Sequence, residues 1–70
     1  NSHLLVYKKT DNQGGEVYVI ANFSEFDTVF EKDIFGNNNF TELHDLITDS
    51  RVAINQSTFI SAYDVLWLKA

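Results

Sequence analysis

Short apolar runs separated by polar turns divide this chain. Leu4-Leu5-Val6-Tyr7 ends at Lys8-Lys9, and Thr10-Asp11-Asn12-Gln13-Gly14-Gly15 is a dense turn signal whose glycines can take positive φ. The run Glu16 to Phe23 that follows is β-branched and aromatic, so the two predict a β-hairpin. In the second run Val17, Val19, Ala21 and Phe23 point one way, and Tyr18 and Ile20 the other. Apolar residues on both faces predict a central strand covered on each side. Ser24-Glu25-Phe26 interrupts, and Asp27 to Lys32 reads as an edge or half-exposed strand with Val29 between Asp27 and Glu31.

Asp33 to Asn39 is expected to be a loop, broken by Gly36 and three consecutive Asn. Residues 40–48 fit two patterns. Asn39 and Glu42 have capping-box spacing and Phe40, Leu43 and Ile47 a helical stripe, yet the same residues also suit an extended chain. Short strands are then expected at Val52-Ala53-Ile54, Thr58-Phe59-Ile60 and Tyr63 to Leu68, with turns at Asp49-Ser50-Arg51 and Asn55-Gln56-Ser57. About six to eight short strands at this spacing predict an all-β fold, a small antiparallel sandwich with Greek-key connections, over residues 1–70 as one domain.

Composition narrows the function classes. Seventy residues leave no room for a second domain, and a chain this short hides only about 60% of its unfolded surface. Ten acidic residues against five Lys and Arg give a net charge of −5, with no basic run to attract a phosphate backbone, so no nucleic-acid partner is expected. No apolar stretch approaches the roughly 20 residues of a membrane span. There is no Cys, and two isolated histidines suit no metal, so no cofactor or metal is expected.

Two stretches carry a family resemblance. Val19-Ile20-Ala21-Asn22-Phe23-Ser24 resembles the strand ending in Asn-Phe-Ser in the C-terminal β domain of glycoside hydrolase family 13, the α-amylase family. Asp45-Leu46-Ile47, Val52-Ala53-Ile54-Asn55-Gln56 and Tyr63-Asp64-Val65-Leu66-Trp67-Leu68 resemble, in order and spacing, the close of amylosucrase-type chains. Ala62 stands where that family commonly has Pro, and Ile54 where it has Leu. The resemblance implies a non-catalytic domain cut from a longer bacterial enzyme, cytoplasmic or secreted with the cytoplasm as first expectation. Its partner would be an upstream (β/α)8 barrel of the same parent chain, which would hold the two carboxyl groups of a retaining α-glucosyl transferase or hydrolase. None of the family's catalytic residues falls on this sequence. Left without its barrel, the domain is expected to expose an apolar face through which it could dimerise.

The rival reading is a carbohydrate-binding module in which Trp67, Tyr63, Tyr18 and Phe23 grip α-glucan; the same four residues are the candidates for interdomain contact. Glu25, Asp27 and Glu31 are expected as solvated carboxylates, because a working acid needs an apolar pocket. His44 beside Asp45 offers a base with an orienting neighbour but no nucleophile, and His3 is expected at the surface. Three Asn-x-Ser/Thr sequons occur, at Asn22, Asn39 and Asn55, of which Asn22 ends a central strand where a glycan fits poorly.

Overall fold

The hairpin forms where the glycine-rich turn predicts it. In the computed structural model, which describes residues 3–36 and 38–70, β1 (Leu4–Thr10) pairs antiparallel with β2 (Glu16–Asn22), Leu4 opposite Asn22 and Thr10 opposite Glu16. Asp11 organises the turn: its Oδ1 accepts the N–H groups of Gln13 (2.9 Å) and Gly15 (2.7 Å). Gly14 takes φ +83°, and any side chain at Gly15 would press within 2.9 Å of the Asp11 carboxylate. Gly14 thus suits the turn through its positive φ, and the absence of a side chain at Gly15 leaves room for the Asp11 carboxylate.

The remaining strands are β3 (Thr28–Glu31), β4 (Glu42–Asp45), β5 (Ser50–Ala53), β6 (Ser57–Ile60) and β7 (Val65–Lys69). They make two antiparallel sheets, one of five strands in the order β1-β2-β7-β4-β5 and one pairing β3 with β6. The last strand is inserted between β2 and β4, with Val19 opposite Trp67 and His44 opposite Lys69. These over-and-back connections make the small all-β sandwich that the strand spacing predicts.

Alternation decides what lies between the layers. Tyr18 and Ile20 of β2, Leu66 and Leu68 of β7 and Leu43 of β4 face inward against Phe30 and Ile60 of the small sheet. The small sheet alone is too narrow to cover five strands. Lys32–Phe35 forms a 3-10 turn that brings in Phe35, which is 2% exposed and meets Tyr18 edge to face at 4.9 Å. Phe40 adds a third ring, 5.6 Å from Phe35.

Several sequence expectations need correction. The segment after Asp33 is not merely a loop, since its Ile34-Phe35 pair completes the second layer. Residues 40–48 take the extended option: Glu42–Asp45 is a strand, Leu46 to Asp49 turn, and Ile47 is exposed rather than on a helical stripe. Glu42 opens β4 and so caps nothing, while Asn39 Oδ1 accepts the Lys32 ammonium at 3.0 Å. Tyr63 precedes the last strand, in a turn with φ 58°. Readings that touch Asn1, Ser2 and Asn37 lie outside the described residues.

One buried polar side chain joins the two sheets. Asn22 is 1% exposed, and its two amide hydrogens are shared among the carbonyls of Phe26 (2.9 Å), Ser61 (3.1 Å) and Ile60 (3.4 Å). Its Oδ1 accepts from the Ser24 N–H at 3.1 Å and lies 2.9 Å from the Ser24 hydroxyl. Its backbone N–H donates to Asp64, at the entrance to β7 (2.9 Å). The acceptor amide of the Asn22 sequon is thus sealed inside the protein.

Two stability predictions follow from this core. Phe35→Ala should cost about 3–5 kcal/mol, whereas the exposed Phe59→Ala should change stability by less than about 1 kcal/mol. Asn22→Ala strands the carbonyls it satisfies and should cost about 2–3 kcal/mol. Urea unfolding followed by circular dichroism measures all three.

Candidate functional site

The outer face of the five-stranded sheet carries apolar rows that the fold leaves without a second layer. Register places Leu5 beside Ala21 and Val65, and Tyr7 beside Val19 and Trp67, in two rows running across β1, β2 and β7. The expectation that β2 is covered on both faces is met only on the inner side by another layer. On the outer side Val17 and Val19 are still only 4% and 3% exposed, flanked in the sheet by larger side chains. Leu5, Tyr7 and Val65 remain 51%, 45% and 37% exposed.

Charged groups frame this face. The Lys9 ammonium sits 4.7 Å from the centre of the Trp67 ring, a cation–π contact. Lys69 pairs with Asp11, and Arg51 Nη1 bonds Glu42 Oε1 at 2.8 Å across the β4–β5 hairpin. The hydrogen bond from Lys69 holds the Asp11 carboxyl below the usual carboxylate range, helped by the N–H groups of Gln13 and Gly15. These pairs set ions alongside the apolar rows, with Lys9 lying over Trp67 itself.

The four aromatic candidates separate into different environments. Trp67 is half-buried in the middle of the outer face. Tyr18 lies within the core at 5% exposure; its hydroxyl donates to Glu16 at 3.4 Å and accepts from the Asn38 amide at 3.2 Å. It presents no ring face to a ligand. Phe23 and Tyr63 are 57% and 68% exposed, at the end of the sandwich where β2 leaves and β7 enters. Phe26, 69% exposed, belongs to the same end and was not singled out by pattern, since it falls in an interrupting turn.

The titratable candidates are engaged elsewhere. Asp27 Oδ1 accepts the Ala62 N–H (2.9 Å), and both Glu31 oxygens lie within 3.0 Å of the Ser57 hydroxyl. His44 and Asp45 point to opposite sides of β4. His44 Nε2 lies 2.8 Å from Asp49, while Asp45 is 2% exposed and accepts from the Thr48 hydroxyl (2.9 Å) and from the N–H groups of Ile47 (3.1 Å) and Trp67 (3.3 Å). No group of three or more potential metal ligands occurs among the described residues. Among those residues, no helix is long and apolar enough to cross a membrane.

The Asp11 environment predicts a pH dependence. A carboxyl whose folded value is depressed contributes stability above its unfolded value, about 3.9, and loses it as pH falls through the lower folded value. Asp11→Asn should therefore flatten the acid limb of thermal midpoints measured from neutral pH downward. An unchanged acid limb would remove the Asp11–Lys69 contact from the account.

Comparison with known proteins adds nothing to these contacts: no family model, curated protein or solved structure matches the chain.

Proposed function

We propose that this chain is the non-catalytic C-terminal domain of an amylosucrase-like or α-amylase-like enzyme, and that the outer face of its five-stranded sheet packs on the catalytic barrel. The observation that carries this reading is the pair of apolar rows, Leu5-Ala21-Val65 and Tyr7-Val19-Trp67, on a sheet face with no second layer. Covering roughly 300 Å² of such surface contributes about 7 kcal/mol before the costs of ordering are subtracted. Within one chain most of the association cost is absent, so the barrel and the domain stabilise each other.

The roles of the resembling motifs support the same reading. Asn22, Asp45 and the Asn55-Gln56 turn are occupied with hydrogen bonds that hold strands together: Lys32 N–H donates to the Gln56 carbonyl (2.9 Å) and Asn55 N–H to Thr58 Oγ1 (3.1 Å). Residues serving as corners of a scaffold suit a supporting domain. In the parent the two catalytic carboxyls would come from the barrel, where retaining chemistry needs them about 5–5.5 Å apart.

A carbohydrate-binding module is the second reading, favoured by Phe23 and Tyr63 standing exposed at one end of the sandwich. The Lys9 ammonium against Trp67 weighs against stacking of a sugar on that ring, since the pyranose would compete with a cation for it.

Sequence upstream of this chain should encode a barrel with paired acidic residues. In that parent, Leu5→Asp and Val65→Asp should lower the thermal midpoint of the barrel, while changing the stability of the seventy-residue chain by less than about 1 kcal/mol. A barrel indifferent to both substitutions would overturn the docking face. Calorimetric titration of the chain with maltoheptaose should give no saturable heat; saturable heat lost in Tyr63→Ala would favour the second reading.

A further inference from the structure

We propose that the chain pairs with a second copy of itself through the free edge of β1, antiparallel about a two-fold axis at Val6. This inference is independent of the docking reading, because it uses the rim of the sheet and the cleft beside it rather than the outer face.

Among the described residues, strand β1 ends the five-stranded sheet, and no strand of them pairs with its other side along Leu4–Thr10. Leu5, Val6 and Tyr7 are all at least 36% exposed there. A long apolar edge is a template for another strand unless something blocks it. The adjoining small sheet does not reach far enough to close the sandwich on this side. Instead a cleft opens between β1 and the segment from Val29 to Asn38, in two lobes of about 490 and 480 Å³ that share Val6 and Ile34.

The charge along this cleft selects the occupant. Lys8 lines one lobe, whereas Glu31 and Asp33 line the other, beside Leu4. A surface with a cation at one end and two carboxylates at the other complements its own copy turned by 180°. Pairing must also keep inward residues opposite inward residues, which permits only registers in which even-numbered positions meet even-numbered ones. With the axis at Val6, Val6 faces Val6 of the second copy and Leu5 faces the second copy's Tyr7. Leu4 then faces the second copy's Lys8, and that ammonium enters the lobe holding Glu31 and Asp33.

Lys8 thereby acts as a discriminator. Its contact within the chain is a 3.5 Å pair with Glu16 in which both side chains are about half exposed, an arrangement of small energetic worth. Against an unrelated strand Lys8 would be desolvated with no more than its weak Glu16 pair, which is how edge lysines suppress promiscuous pairing. Across this two-fold axis it gains two carboxylates. The assembled sheet would have ten strands, with the apolar rows of both outer faces continuous across the junction.

Sedimentation equilibrium of the seventy-residue chain over a broad concentration range tests the pairing. The wild type should show a reversible monomer–dimer equilibrium. Lys8→Glu should weaken it about tenfold or more, and the double variant Glu31→Lys/Asp33→Lys, on the opposite wall of the cleft, should do the same. Combining all three substitutions should restore dimerisation, with circular dichroism confirming the fold of each variant. A wild type monomeric throughout would overturn the proposal. So would a dimer insensitive to Lys8→Glu, which would place the contact on the outer sheet face, or a folded triple variant that stays dissociated.

Discussion

The sandwich depends on one desolvated carboxamide. Asn22 ends β2 just beyond the inward-facing Tyr18 and Ile20, yet it is 1% exposed. A buried amide is tolerated only when its hydrogen-bonding capacity is filled. Here the partners come from the turn after β2, from the end of β6 in the other sheet and, through the backbone, from the entrance to β7. Apolar side chains could slide past one another between the layers at small cost. An amide aimed at three carbonyls cannot, so it sets how the small sheet sits on the large one.

The same economy operates at the other corners. Asp45 gathers the N–H groups of Ile47 and Trp67 and the Thr48 hydroxyl, which closes the β4–β5 hairpin and fixes it to the last strand. Thr58, 7% exposed, bonds with both backbone groups of Asn55 where the chain crosses between sheets. A domain without disulfides or metal sites among its described residues, and with only a thin core, relies on such side-chain-to-backbone links to hold irregular connections. Ala at any of these positions would remove the side-chain-to-backbone bonds that hold the corner.

How much of this was legible depended on how local the cause was. The hairpin was readable because Gly14 and Gly15 act on their own immediate neighbours. The apolar character of both faces of β2 was equally plain, although the structure gives only one of them a covering layer. Nothing local tells which face is the core; that is decided by where Phe30, Phe35 and Ile60 arrive from distant parts of the chain. The Ile34-Phe35 turn was hidden for that reason, since two apolar residues after an acidic strand carry no periodicity. Residues 40–48 satisfied a helical and an extended pattern alike, and pairing with β7 and β5 selected the second. Tyr18 shows the limit for site assignment: an aromatic on a strand has the same signature whether its ring stacks on a ligand or on Phe35.

The position of the last strand has a consequence for how the molecule is made. Until Val65–Lys69 emerges, β2 and β4 have no neighbour to join them, and the large sheet exists only as two separate hairpins. Before that strand is in place, the inner surfaces of Tyr18, Ile20 and Leu43 stay wet and vulnerable. Closure is a single zippering by β7 that joins two hairpins distant from each other in sequence. Deleting residues 65–69 would leave two hairpins with no seam between them.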